Sequence, residues 1–355
     1  MSWRSSQLGD VLELRYGKAL PDRDRKFGDI PVYGSGGIGG WHDAALVSGP
    51  GVIVGRKGSV GSVFYEARNF FPIDTAYYVV PKVDQIDLRY SYFLLSSLQL
   101  ASMNSDVAVP GLNRDRALGL EIRLPSMAVQ KSIADLLSTY DDLIENNRRR
   151  MALLEESARL LYREWFVRLR FPGYEHTPIV DGVPRWWERV PLEAALVLQR
   201  GFDLPTQDRQ EGDVPIYGST GILGYHDKAK AVAPGVVTGR SGTLGEVRYV
   251  AEDYWPLNTA LWVKEFKRVT PLFALFLLRE MDLKQFNGGA SVPTLDRKSV
   301  HRVEILIPSA PLLRSFDDFT TSVFEQIKNL NMQNQKLRAA RDLLLPRLMS
   351  GELAV

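Results

Sequence analysis

The sequence predicts an α+β chain in which two similar α+β domains are separated by two long helices forming an antiparallel coiled coil. Three observations carry that expectation. Residues 31–76 and 215–260 align without a gap at an offset of about 184 residues, with about half the positions identical, which marks an internal duplication. Between Leu124 and Phe171, apolar or semi-apolar residues fall at Ile133, Leu137, Tyr140, Ile144, Met151, Leu154, Ala158, Leu161 and Trp165, in steps of four and three with Asn147 as the interruption. That spacing is a coiled-coil seam. The pattern returns near the C-terminus as Phe316, Thr320, Val323, Ile327, Leu330, Asn334, Leu337, Arg341, Leu344 and Leu348, polar at three places.

The expected order is therefore globule, helix, globule, helix. The first domain covers 1–124, a central helix 125–170, a linker with the second domain 171–307, and a C-terminal helix 308–355. Pro125 and Ser126 stand where the central helix should begin, and Phe171-Pro172-Gly173 where it should end. At about 1.5 Å per residue such a helix spans roughly 60 Å, longer than one small core requires. The linker, FPGYEHTPIVDGVPRWWERVPL, has the proline, glycine and aromatic content of a segment that docks.

Inside each globule strand signals dominate. Val52 to Val54 and Ser62 to Tyr65 flank a glycine-rich turn, Thr75 to Val80 continues the β pattern, and helices are expected at Tyr90 to Met103 and Leu272 to Met281.

Composition narrows the function. The net charge is +2, so affinity for nucleic acid has to come from local patches. The absence of cysteine excludes disulfides and thiolate metal sites, and His42, His176, His226 and His301 lack ligand-like spacing. The lack of an apolar run of about 18 residues, and of a leader pattern at the start, leads us to expect a cytoplasmic protein.

Two glycine-rich stretches recur. Gly34-Ser35-Gly36-Gly37-Ile38-Gly39 fits a dinucleotide-binding fingerprint, but the second copy, Gly218-Ser219-Thr220-Gly221-Ile222-Leu223, loses two of the required glycines. A tight loop whose backbone closely approaches something is the better reading. The other stretch, Gly55-Arg56-Lys57-Gly58-Ser59-Val60-Gly61, recurs as Gly239-Arg240-Ser241-Gly242-Thr243-Leu244-Gly245. Its arginine is expected at an exposed hairpin tip, where it could pair bidentately with guanine or with a phosphate. The pairs His42-Asp43 and His226-Asp227, with no serine or cysteine nucleophile pattern nearby, read as turn-stabilising. Without a phosphate-binding loop, a zinc-protease motif or an adenine-methyltransferase motif, the chain reads as a reader and not an enzyme.

The layout resembles a specificity subunit of a type I restriction-modification system over nearly its whole length. The resemblance is carried by Trp3 to Val11 (WRSSQLGDV), the paired PVYGSGGIGG and PIYGSTGILG loops, the paired GRKGSVG and GRSGTLG turns, the helix start LPSMAVQKSIADLL and the closing LLPRLMSGEL. It implies two target-recognition domains, each reading one half of a split double-stranded DNA site in a prokaryotic cytoplasm. It also implies docking of two modification (methyltransferase) subunits, joined by restriction (translocase or nuclease) subunits. Those partners would bring S-adenosylmethionine, ATP and Mg²⁺, with no cofactor or metal bound by this chain.

Expected DNA-binding residues are Tyr33, Ser35, Arg56, Lys57, Asn113 and Arg114 in the first domain. In the second they are Tyr217, Ser219, Thr220, Arg240, Ser241 and Arg297. Asn147 and Asn334 are expected to face each other and set the coiled-coil register, with Tyr140 meeting Arg341 and Trp165 meeting Phe316. The alternative from another class is a non-catalytic tandem-repeat scaffold whose loops and coiled coil bind protein only.

Overall fold

The computed structural model describes residues 3–82, 85–103, 111–289 and 291–355. The repeat also matches Val109-Pro110-Gly111-Leu112 to Val292-Pro293-Thr294-Leu295, and of these Val109 and Pro110 lie outside the described residues. The chain divides into two compact units, one of Met1–Asn146 with Gln333–Val355 and the other of Asn147–Met332.

In the first unit β1 (Arg4–Gln7) leads through the short α1 (Leu8–Val11) into β2 (Leu12–Tyr16). A hairpin follows, β3 (Ile30–Gly34) and β4 (Gly37–His42), then β5 (Gly51–Gly55), β6 (Val63–Glu66), β7 (Phe71–Pro72) and β8 (Ala76–Pro81). α2 (Leu88–Ser97), α3 (Arg114–Leu118) and β9 (Glu121–Leu124) complete the domain before α4 (Met127–Tyr162). The strands form a four-stranded sheet in the order β2-β8-β5-β6, a three-stranded sheet β4-β3-β7, and the pair β1-β9. β5 is buried along its whole length because both its faces are covered. With side chains alternating between faces, Val52 and Val54 join the cluster of Leu12, Leu14, Phe93 and Leu94, while Ile53 meets Tyr33 and Phe70.

The second unit contains a linker hairpin, β10 (Ile179–Val180) with β11 (Val183–Pro184), and then repeats the plan. β12 (Glu188–Pro191), α5 (Leu192–Ala195) and β13 (Leu196–Arg200) match β1, α1 and β2. β14 (Val214–Gly218), β15 (Gly221–His226), β16 (Gly235–Gly239), β17 (Val247–Val250), β18 (Trp255–Pro256) and β19 (Ala260–Phe266) match β3 to β8. α6 (Pro271–Glu280), α7 (Arg297–His301) and β20 (Glu304–Ile307) precede α8 (Ala310–Ser350). The sheets are again β13-β19-β16-β17, β15-β14-β18 and β12-β20. Duplicated sequence has given duplicated topology, strand for strand. The linker docks as expected: Phe171 and Trp187 are buried in this unit's core with ring centroids 5.2 Å apart.

α4 and α8 run antiparallel within each unit. In the first, Ile133 and Leu137 of α4 share a core with Leu344 and Leu348 of α8, and Asn334 donates to the Ile144 carbonyl at 3.3 Å. In the second, Tyr162 and Trp165 lie 5.9 and 6.4 Å from the Phe316 ring, as the register required for Trp165. Every seam position read from the sequence is buried or half-buried, Asn147 and Asn334 among the buried ones. One layer differs from expectation. The side-chain partner of Arg341 on α4 is Asp141, the neighbour of Tyr140, because a carboxylate offers the guanidinium a charged acceptor that a phenol does not. The regular helix also ends sooner than residue 170, passing into a π-helical turn at Arg163–Val167 that buries Phe166.

Candidate nucleic-acid interface

The Gly34–Gly39 stretch is the turn of a β-hairpin, with Gly34 paired to Gly37 across it. No helix follows directly, which removes the dinucleotide reading on structural grounds. Behind the hairpin, His42 Nδ1 accepts the Lys26 N–H and His226 Nδ1 accepts the Gln210 N–H, both at 3.1 Å. A ring nitrogen that accepts has no proton to give Asp43 or Asp227, so these histidines brace the preceding loop, as the turn-stabilising reading held.

The second glycine stretch links β5 to β6. A Cβ on Gly55 would sit 2.2 Å from the Ser59 carbonyl, and one on Gly239 1.9 Å from the Thr243 carbonyl. Gly58, Gly61, Gly242 and Gly245 all take positive φ. The loop thus curls over its own backbone, and Ser62 Oγ ties it to the Ser35 carbonyl of the neighbouring hairpin tip.

Several expected contact residues serve this frame. Tyr33 and Tyr217 are buried, 6% and 9% exposed, so they are core residues and not DNA contacts. Tyr33 Oη donates to Glu66 at 3.0 Å. Burial pushes its phenol pKa up, and the Glu66 charge adds to this. Arg56 and Arg240 do not stand at an exposed tip. They fold back in the same way, Nη1 donating to the Asp74 carbonyl at 2.9 Å and to the Asn258 carbonyl at 3.2 Å. The loop's own curl brings that carbonyl within reach, because Arg56 and Lys57 N–H already bond to the Thr75 carbonyl, and Arg240 and Ser241 N–H to Thr259. Asn113 and Asp296 cap α3 and α7, accepting from Arg116 N and Lys298 N at 3.0 Å each. Ser35, Ser219 and Ser241 are half-buried in the loops, while Lys57 and Thr220 are exposed. Arg114 is half-buried, and Arg297, exposed, donates to the Leu198 carbonyl at 3.4 Å.

The structure brings these loops together around a residue not singled out from the sequence. Tyr16, at the end of β2, is 48% exposed. The Arg56 and Arg114 guanidinium carbons lie 4.9 and 5.4 Å from its ring centroid, and its cross-strand partner Tyr77 meets it edge-on at 5.0 Å. Burial first, then the hydrogen bond with Tyr16, pushes the Tyr77 phenol up to about 12. In the second unit the equivalent of Tyr16 is Arg200, exposed and beside Asp203 at 3.6 Å. Each unit therefore offers cationic side chains and open polar loops on a rigid glycine-shaped frame, the equipment for contacting phosphates and base edges. Among the described residues no group of acids and histidines is placed to hold a metal, and no helix is long and apolar enough to cross a membrane.

A duplicated α+β protein in which each half carries an antiparallel helix pair is the class this fold defines. Residues 1–156 match the family described as type I restriction modification DNA specificity domain. The chain is 24% identical over 319 residues to the type I restriction enzyme MjaIX specificity subunit of Methanocaldococcus jannaschii, covering 78% of this chain and 71% of that protein. It is 21% identical over 334 residues to the HindI specificity subunit of Haemophilus influenzae, covering 69% and 71%. The fold is that of the type I restriction-modification S subunit from M. genitalium, with a TM-score of 0.60 at 19% identity, covering 98% of this chain and 96% of that one. The chain is thus similar to type I restriction-modification specificity subunits in sequence and to one of them in fold.

Proposed function

We propose that the chain gives a type I restriction-modification complex its DNA target by reading a split duplex site, one half-site per unit. The observation that carries this reading is the same loop frame built twice, with Arg56 and Arg114 in one copy and Arg240 and Arg297 in the other. Two equivalent readers match a bipartite target. Methyl transfer and cleavage then belong to partners: modification subunits that bring S-adenosylmethionine, and restriction subunits that bring ATP and Mg²⁺. The modified adenine is flipped into a partner's pocket. The complex works in the cytoplasm, where the DNA is.

Binding of the chain to duplex DNA, alone and with modification subunits, is the test. Each phosphate neutralised by lysine or arginine releases counterions, so the affinity should fall steeply as salt rises. A chain with no salt-dependent DNA affinity in either state would instead be a scaffold that binds protein only.

A further inference from the structure

The two units share a frame but differ at the place the frame surrounds, and the difference is chemical. On Tyr16 converge Arg56, Arg114 and Tyr77. At the equivalent place Arg56 is kept as Arg240 and Arg114 as Arg297, while Tyr77 becomes Leu261 and Tyr16 becomes Arg200. Each strand end stays exposed, and each is held still by a different device. Tyr16 is fixed by the edge of Tyr77 and the two guanidinium groups. Arg200 is oriented by Asp203, whose carboxylate accepts a hydrogen bond from the Asn258 side chain. The Asn258 carbonyl in turn holds Arg240. Neither Asp203 nor Asn258 has the same residue at its equivalent, where Ala19 and Asp74 stand. The buttress belongs to the arginine.

We propose that Tyr16 and Arg200 are specificity-determining residues, each selecting a base in the half-site its own unit reads. This rests on the DNA-reading function above and names the side chains that make the two half-sites differ. Arg200 presents a planar fork of donors, held by an exposed ion pair that is readily exchanged for a base edge, and the base that accepts two such donors in the major groove is guanine, through O6 and N7. Tyr16 has no fork. Its half-exposed ring offers an apolar face and one hydroxyl, suited to a thymine methyl or a sugar, so its half-site should not demand guanine at the matching place.

The test uses the assembled methyltransferase complex with Y16R, R200Y and R200K chains, reading methylated motifs on a randomised DNA library. R200Y should lower the preference for guanine at one position by roughly five- to a hundredfold and leave the other half-site unchanged. Y16R should alter one position of the other half-site only. R200K keeps the charge without the fork, and should retain overall affinity while losing the same preference. Folded, active variants that methylate the wild-type motif with undiminished discrimination would overturn the assignment of these residues. A wild-type complex that shows no sequence preference would overturn the DNA-reading function itself. Both positions are exposed, and thermal unfolding of each variant, expected within a few degrees of wild type, separates a changed preference from a damaged fold.

Discussion

Arg341 Nη1 lies 2.5 Å from Asp141 Oδ1, an ion pair inside the helix seam of the first unit with both side chains largely shielded from water. Asp141 is also 3.7 Å from Arg89, whose guanidinium sits 3.9 Å over the Tyr65 ring and donates to Ser138. One carboxylate thus links α8, α4, α2 and the sheet. The polar seam residue that looked like a flaw in the helix pattern is a tie between helix and domain.

Removing the carboxylate should leave two guanidinium groups facing each other in a half-buried site. D141A is expected to lower unfolding stability by about 2 kcal/mol, and D141L with R341M to recover most of it. Urea denaturation of the three chains checks this. A D141A chain as stable as wild type would show that solvent already screens the pair.

His301 gives the chain an acid-sensitive element. Its Nε2 accepts the Leu198 N–H at 2.9 Å. Burial first, with Arg297 adding to it, lowers its pKa. The unfolded chain, with the ordinary histidine pKa of about 6.5, takes up the proton while the folded chain still resists it. Stability present at neutral pH should therefore decline as the pH falls through about 6.5 towards the folded value. H301L, which installs the residue found at the equivalent position 118, should flatten that segment of the stability profile. It should also cost about 1–2 kcal/mol at pH 7, because the Leu198 N–H loses its acceptor. An unchanged slope would remove His301 from the explanation.

Glycine is required at some positions of the recurrent loops and not at others. In G55A and G239A the new methyl meets a backbone carbonyl at 2.2 and 1.9 Å, where no side-chain rotation gives relief. Each should cost roughly 3 kcal/mol or more. A methyl added at Gly39 meets nothing within 4 Å, so G39A should stay within about 0.5 kcal/mol of wild type. Thermal unfolding of the three variants measures the contrast, and equal losses would contradict it.

The duplication was legible because it is written residue by residue, and the two strand orders follow it. The seams were legible because their spacing is regular. Less legible was the direction of individual side chains. Arg56 lies between glycines, and only the folded loop shows that the Asp74 carbonyl is in reach. Tyr33 and Tyr217 immediately precede the glycine-rich hairpin turns, yet their strands are buried on both faces there, so both rings lie in core clusters. Asn113 and Asp296 carried a readable signal, a capping residue type just before a short helix. Tyr16 and Arg200 could have been found by asking where the repeats disagree beside an agreement, since both precede a shared glycine, Gly17 and Gly201. The Arg341 partner was missed by one residue, since a seam pattern ranks apolar neighbours and is blind to a carboxylate at its edge.

Sequencing the methylated positions in DNA from cells that carry the wild-type chain and its modification subunits tests whether two units read two half-sites. The target should consist of two short specified blocks separated by a constant number of unspecified base pairs. Because the readers are alike, the blocks should be partly reverse complements of one another. A single uninterrupted motif, or methylation without sequence preference, would contradict this.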